Sequence, residues 1–279
     1  MLELLLDAVI DTAKTLPFLF GAYLLIEFLE HRASEKLTGA LQRLGPFGPV
    51  GGAVPGLVPQ CGFSVAAANF YAGRLITPGT LVAVFLATSD EALPILVSQP
   101  GALPDLLLLL GVSLVAGAVF GILTDLLWKR LPHRAPERPF EELCKDCDCE
   151  HHGIFRSALT HTVRIALFLL LINLVLGGAI HVVGEERISQ VLLSGSVFQP
   201  FVAALLGFIP NCASSVILTE LYLAGSLSFG AAVAGLCTGA GVGLAVLFKY
   251  NRHWKENLLL AAILYVSAVA TGLVCGAVF

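Results

Sequence analysis

Long apolar runs separated by short polar clusters fill this chain, and each is about the 17–25 residues a helix needs to cross a bilayer. The pattern predicts spans at 15–30 and 103–128 in the first half and at 165–182 and 257–278 in the second. A short amphipathic segment (34–44; 185–193) follows the first span of each half. Next comes an apolar stretch interrupted by Pro59-Gln60-Cys61-Gly62-Phe63-Ser64 or by Pro210-Asn211-Cys212-Ala213-Ser214-Ser215, and then a further apolar stretch at 77–97 or 228–248. The interrupted stretch 46–73 is too short for two crossings of about 20 residues each. It is either one kinked span or a re-entrant hairpin with its tip at Cys61.

The two halves repeat each other. Leu57-Val58-Pro59-Gln60-Cys61 recurs as Phe208-Ile209-Pro210-Asn211-Cys212, an offset of 151 residues (Pro59 to Pro210). Without a gap, the same offset pairs Glu35 with Glu186, Pro49 with Pro200, Gly56 with Gly207, Ser64 with Ser215, Tyr71 with Tyr222 and Gly79 with Gly230. Matches of Leu and Ala arise by chance in any apolar sequence, whereas a register that lands on Pro, Cys, Ser, Tyr and Gly does not.

Charge decides between kinked span and hairpin. The loop after the first span carries Arg32, Lys36 and Arg43, but its counterpart carries Glu185, Glu186 and only Arg187. The loop before the last span is uncharged in the first half and reads Lys249, Arg252, His253 and Lys255 in the second. Equivalent loops that differ in positive charge belong on opposite sides of the membrane, so each half crosses an odd number of times, as the hairpin requires. The expected fold is therefore an all-α integral membrane protein of two inverted-topology repeats, each with transmembrane helices plus a re-entrant or broken-helix hairpin. The repeats are 1–128 and 158–279, joined by a cytosolic Cys/His-rich linker at 129–157, with Trp128 and Trp254 anchoring at the interface. Such folds bind substrate near the midplane, where the repeats meet.

Composition narrows the classes of function. Hydrophobic residues make up 57% of the 279, charged residues only 13%, and the mean hydropathy is +0.86, which a soluble enzyme would not need. A net charge of −4 argues against a nucleic-acid partner. Asp7, Asp11 and Lys14 interrupt the first apolar run, unlike a cleavable signal peptide. Seven cysteines without secreted-domain spacing suggest thiols that serve metal chemistry rather than disulfides.

Candidate ligands fall at the interruptions. Thr88-Ser89-Asp90-Glu91 places two acids inside an apolar stretch, where an ionised carboxylate costs roughly 2.5–3.5 kcal/mol at the bilayer centre. Ser89 followed by acids also reads as the start of a half-helix. The equivalent Thr238-Gly239-Ala240-Gly241 is a helix breaker without acids. Glu220 lies on the outgoing arm of the second hairpin, opposite Asn69 in the first. Cys61 and Cys212, beside Gln60 and Asn211, mark the two tips; thiolate and amide oxygen beside carboxylate suit a transition-metal cation rather than Mg²⁺ or Ca²⁺. Ser64, Ser215, Asn69, Ser89, Thr88 and Thr238 are supporting polar groups. In the linker, Cys144, Cys147, Cys149, His151 and His152 are close enough to gather around one soft or borderline ion. Cys237 and Cys275 read as packing residues.

Three segments of the first half (58–64, 69–77 and 88–95) resemble the manganese or heavy-metal exporters related to arsenic permeases, and so do 193–200, 209–215, 218–223 and 237–243 of the second. The resemblance implies a multi-pass exporter of bacterial type in the cytoplasmic membrane and no enzyme. With the ligands above it leads to an expected secondary transporter of a divalent transition-metal cation, Mn²⁺ first among them, driven by protons or another ion. The transported metal and the lipid bilayer are the expected partners, with no permanently bound cofactor; a homo-oligomeric state stays open. Rival readings are a permease for arsenicals, a thiol-dependent transporter of sulfur compounds, and a membrane metal sensor that carries nothing.

Overall fold

The computed structural model describes residues 9–10, 12–13, 16–17, 20–21, 24, 47–58, 61–88, 92–99, 101–129, 154–183 and 198–278, and all regular structure among them is helical. The first half contributes α1 (Gly48–Gly56), α2 (Cys61–Ala72), α3 (Pro78–Ala87), α4 (Ala92–Ser98) and α5 (Leu103–Trp128). Then come α6 (Ile154–Val183) and, in the second half, α7 (Gln199–Gly207), α8 (Cys212–Leu223), α9 (Phe229–Cys237), α10 (Gly241–Tyr250) and α11 (Trp254–Val278). The 15–30 span falls almost wholly outside the described residues, as do both amphipathic segments and nearly all of the linker. The span expected at 165–182 is the later part of α6, a 30-residue helix about 45 Å long.

Local chemistry sets the helix ends in duplicate. Thr77 caps α3, its Oγ1 accepting from Thr80 N–H at 3.1 Å, and Ser228 caps α9, its Oγ accepting from Ala231 N–H at 3.3 Å. Four of the paired helices start 151 residues apart: Gly48 and Gln199, Cys61 and Cys212, Pro78 and Phe229, Leu103 and Trp254. The pair α4 and α10 departs from that register by two residues (Ala92 and Gly241).

Packing follows the duplication. Within the halves, α1, α3 and α5 pack on one another, and α7, α9 and α11 do the same. Between the halves the contacts are reciprocal: α2 packs on α10 while α8 packs on α4, and α3 touches α11 while α9 touches α5. Exchange of equivalent partners is the mark of a two-fold relation. Glycine permits the closest approaches. A Cβ on Gly121 would come 2.7 Å from the Gly79 carbonyl oxygen, and one on Gly272 would come 2.5 Å from that of Gly230, the equivalent pair.

The core lies around α3 and α9. Gly79–Ala87 and Gly230–Cys237 are buried on every side, as expected of helices that are apolar all round. Outside them, α5 and α11 expose large apolar side chains, Leu107 at 65%, Val115 at 61%, Val266 at 64% and Val274 at 64%. Water would not tolerate such faces, and lipid would. Pro78–Ser98, Leu103–Trp128, Phe229–Tyr250 and Trp254–Val278 are each long and apolar enough to cross a bilayer, and the protein is a multi-pass membrane protein. One anchor is corrected. Trp254 is exposed, but Trp128 is buried in the core, so its ring packs against protein.

Candidate transport site

Of the polar residues singled out in the sequence, Asn211, Thr88 and Thr238 stand at helix ends. Helix α8 begins with Cys212, and Asn211 caps it, its Oδ1 accepting from Ala213 N–H at 2.8 Å. Cys61 begins α2 at the equivalent place, so both cysteines stand at the first turn beyond an interruption. The span that runs from α9 into α10 breaks at Thr238-Gly239-Ala240, as the sequence predicts. In its counterpart, α3 ends at Ala87 with Thr88 extended, and α4 starts at Ala92. Gln60, Ser89, Asp90 and Glu91 lie outside the described residues, as do the side chains of Cys61 and Cys212. The linker ligands Cys144, Cys147, Cys149, His151 and His152 also lie outside them.

Glycines bring the interruptions together. A Cβ on Gly241 would meet the Phe208 and Ile209 carbonyl oxygens and the Pro210 Cα at 2.9–3.0 Å, which seats the start of α10 against the junction of α7 and α8. Two residues on, a Cβ on Gly243 would lie 2.9 Å from the backbone and Cβ of Ser64, which crosses α10 over α2 of the other half. A Cβ on Gly239 would come 3.3 Å from Ser215 Oγ. Ser64 and Ser215, both buried, therefore flank the broken span from opposite repeats.

Three other expected groups satisfy nearby backbone. Thr88 Oγ1 donates to the Val84 carbonyl at 2.7 Å, Thr238 Oγ1 to that of Ala204 at 2.8 Å, and Asn69 Nδ2 to that of Val65 at 2.9 Å. Glu220 stands apart. It is exposed and lies two turns beyond Cys212, about 12 Å along α8. Among the described residues no three His, Cys, Asp or Glu side chains cluster as a metal site.

A polar network absent from the sequence reading joins the end of α2 to the start of α11 in the other half. Arg74 Nη2 donates to Glu256 Oε2 at 3.0 Å, and Tyr71 and Asn251 reach the same oxygen at 3.5 and 3.3 Å. His253 Nδ1 lies 3.3 Å from Arg74 Nη2, and Asn251 Nδ2 donates to Asn257 Oδ1 at 2.7 Å. Burial works against the guanidinium's charge, but Tyr71 and the Glu256 carboxylate outweigh it and hold the Arg74 pKa above its ordinary value. In the other repeat, Tyr222 and Asp105 line one small cavity, and Asp105 occupies the position of Glu256. The duplicated tyrosine was the available signal, since the 151-residue register pairs Tyr71 with Tyr222 and Glu256 with Asp105.

A second carboxylate also escaped notice. Asp125, near the end of α5, accepts from Thr77 Oγ1 and from Gly79 N–H, both at 2.7 Å, and so sits at the positive N-terminal end of α3.

No curated protein and no solved structure matches the chain. Residues 163–278, which hold the later part of α6 and α7–α11, match the model of a family described as "Putative, 10TM heavy-metal exporter" and are similar to it, in agreement with the resemblance read from the sequence.

Proposed function

We propose that the protein is a secondary transporter that exports a divalent transition-metal cation, Mn²⁺ first among the candidates, from the cytosol across a bacterial-type inner membrane. The observation that carries this reading is the convergence of the second hairpin tip, a broken span and Ser64 of the opposite repeat on the short segment Gly239–Gly243. Irregular backbone is stable at membrane depth only where protein or a water-filled path satisfies it, and it exposes carbonyls and helix ends to a passing ion. The family similarity supplies the class of cargo.

The helix directions support an inverted repeat. In α5, Asp105 lies by Tyr222 and Asp125 by Thr77, so this helix ends beside the base of the first hairpin. Its equivalent α11 starts at that base, with Glu256 on Arg74, and its Gly272 packs on Gly230 at the start of α9. Equivalent spans thus run in opposite senses. Helices of nine and twelve residues, about 14 and 18 Å long, are too short to cross singly, which favours re-entrant hairpins at α1–α2 and α7–α8.

In this mechanism Asp90 and Glu91 supply the negative charge the cation needs. The register pairs Asp90 with Gly241, the residue seated on the second tip. Gln60, Asn211, Cys61 and Cys212 supply softer donors at the tips. Protonation of the acids from outside releases the ion there, and their deprotonation inside reloads the site. Glu220 would act away from this centre, on the path to it. The linker thiols and imidazoles would gather metal on the cytosolic side.

The test is flux of Mn²⁺, Fe²⁺, Co²⁺, Zn²⁺ and Cd²⁺ in proteoliposomes, wild type beside Asp90→Asn. Saturable, pH-dependent flux that falls by on the order of a hundredfold in the variant is expected. Flux and pH dependence that survive both Asp90→Asn and Glu91→Gln would sink the carboxylate mechanism. Absence of flux for every ion in folded protein would sink metal export.

A further inference from the structure

The two ends of this pseudo-symmetric molecule are fastened unequally. Helices α2 and α8 finish alike: Gly73, Arg74 and Leu75 donate to the Asn69, Tyr71 and Phe70 carbonyls at 2.8–2.9 Å, and Ala224, Gly225 and Ser226 donate to those of Glu220, Tyr222 and Leu221 at 2.8–3.0 Å. Both turns need a left-handed residue, Arg74 with φ 59° and Gly225 with φ 71°. Glycine fits that slot without cost, and it is the usual occupant at a helix C-terminus. Arginine does not fit freely, and its Nε is also buried without a hydrogen-bond partner among the described residues. Strain retained at one of two equivalent positions points to use.

The use is visible in what the guanidinium reaches. Arg74 crosses to the other repeat and meets Glu256 at the start of α11, with both side chains about four-fifths buried (20% and 17% exposed). Its ring neighbour Tyr71 lies 5.2 Å away. At the other end, Tyr222 and Asp105 reproduce the tyrosine and the acid, and Gly225 stands where the first end has Arg74.

We infer that Arg74 and Glu256 form a one-sided gate that holds the base of the first hairpin shut against the second repeat and leaves the Tyr222–Asp105 end the easier one to open. Resting on the transport reading, the gate sets how often the central site samples the side that bears Arg252 and Lys255, the cytosolic side in the proposed topology. Opening there must separate α2 from α10, where Ser64 and Gly243 touch. Opening at the other end must likewise separate α8 from α4, but among the described residues it breaks no ion pair.

The experiment is hydrogen–deuterium exchange on the full-length protein in lipid nanodiscs, wild type beside Arg74→Gly, Glu256→Gln and Gly225→Arg. Arg74→Gly installs the residue that the equivalent turn already uses, so it removes the gate without removing the turn. Exchange at 70–76 and 251–257 is expected to quicken by on the order of tenfold in Arg74→Gly and Glu256→Gln, with 221–227 and 102–106 unchanged. Gly225→Arg, which offers Asp105 a cation, is expected to slow exchange at 221–227 and leave the first end alone. A uniform change at both ends in Arg74→Gly, or none at either, would overturn the gate, because a pair that fastens one end must act on that end alone. Flux in the same variants separates the two readings. Asymmetric exchange with no wild-type flux for any metal would refute the transporter, and unchanged exchange with normal flux would refute the gate alone.

Discussion

Asn211 shows how one side chain in this site is bound by two demands. Its Oδ1 caps α8 through Ala213 N–H at 2.8 Å, and its position beside Cys212 also makes it a candidate donor to cargo. The two roles separate by substitution. Asn211→Ala removes the cap and is expected to lower stability by about 1 kcal/mol in chemical denaturation, and Asn211→Ser, an equally good cap, is expected to restore it. A transport defect that persists in the serine variant at restored stability would then belong to the lost amide. Serine behaving like alanine in denaturation would show that the cap is not what Asn211 contributes. Thr88 and Thr238 differ, because their hydroxyls donate to backbone carbonyls and keep their oxygen lone pairs for a cation.

The helical elements show where small residues decide the packing. Gly121 lies where α5 crosses α3, and a Cβ there would come 2.7 Å from both the Gly79 carbonyl oxygen and Pro49 Cβ. Gly111, on the same helix, has nothing within 4 Å. Gly121→Leu is therefore expected to destabilise by several kcal/mol, seen as loss of monodisperse protein in mild detergent, while Gly111→Leu elutes as wild type. Equal tolerance of both would mean that α3 and α5 do not pack as described. Elements of this kind were largely legible in the sequence. Proline and glycine marked the interruptions at Pro59, Pro210 and Gly239, and the apolar runs gave α5 and α11 almost to the residue. The interior partnerships were not legible. Which helix a Gly touches depends on tertiary geometry, and nothing local to Arg74 announces that its partner lies at Glu256. The periodicity of α3 and α9 carries no directional signal either, because both are buried on all sides. Ser64 and Ser215, supporting groups in the sequence, lie beside α10 and Gly239 through contacts that no local pattern announces. The sequence could not reveal that Glu220 faces outward, since a residue on a hairpin arm has the same local pattern whichever way the arm turns.

For the whole molecule, the reciprocal contacts α2 on α10 and α8 on α4 pack each half against the other, so the proposed site would be a product of the pair. The direction of that pairing fixes the transport geometry. A two-fold axis along the membrane normal would place both hairpin bases on one face, and a carrier so built would open both hairpins to the same compartment. An axis in the membrane plane places them on opposite faces, and rocking one repeat against the other then exposes the centre to each side in turn. The loops at Gln99 and Arg252 distinguish the two arrangements, since they precede the equivalent helices α5 and α11 and both residues are exposed. Single reporters at Gln99→Cys and Arg252→Cys, in a background whose native cysteines are replaced by serine, are expected to react with a membrane-impermeant maleimide from opposite sides of sealed vesicles. Arg252→Cys should label only from the cytosolic side, where its positive neighbours Lys249 and Lys255 belong. Labelling of both from the same side would remove the in-plane axis, and with it the alternating exposure on which export through this centre depends.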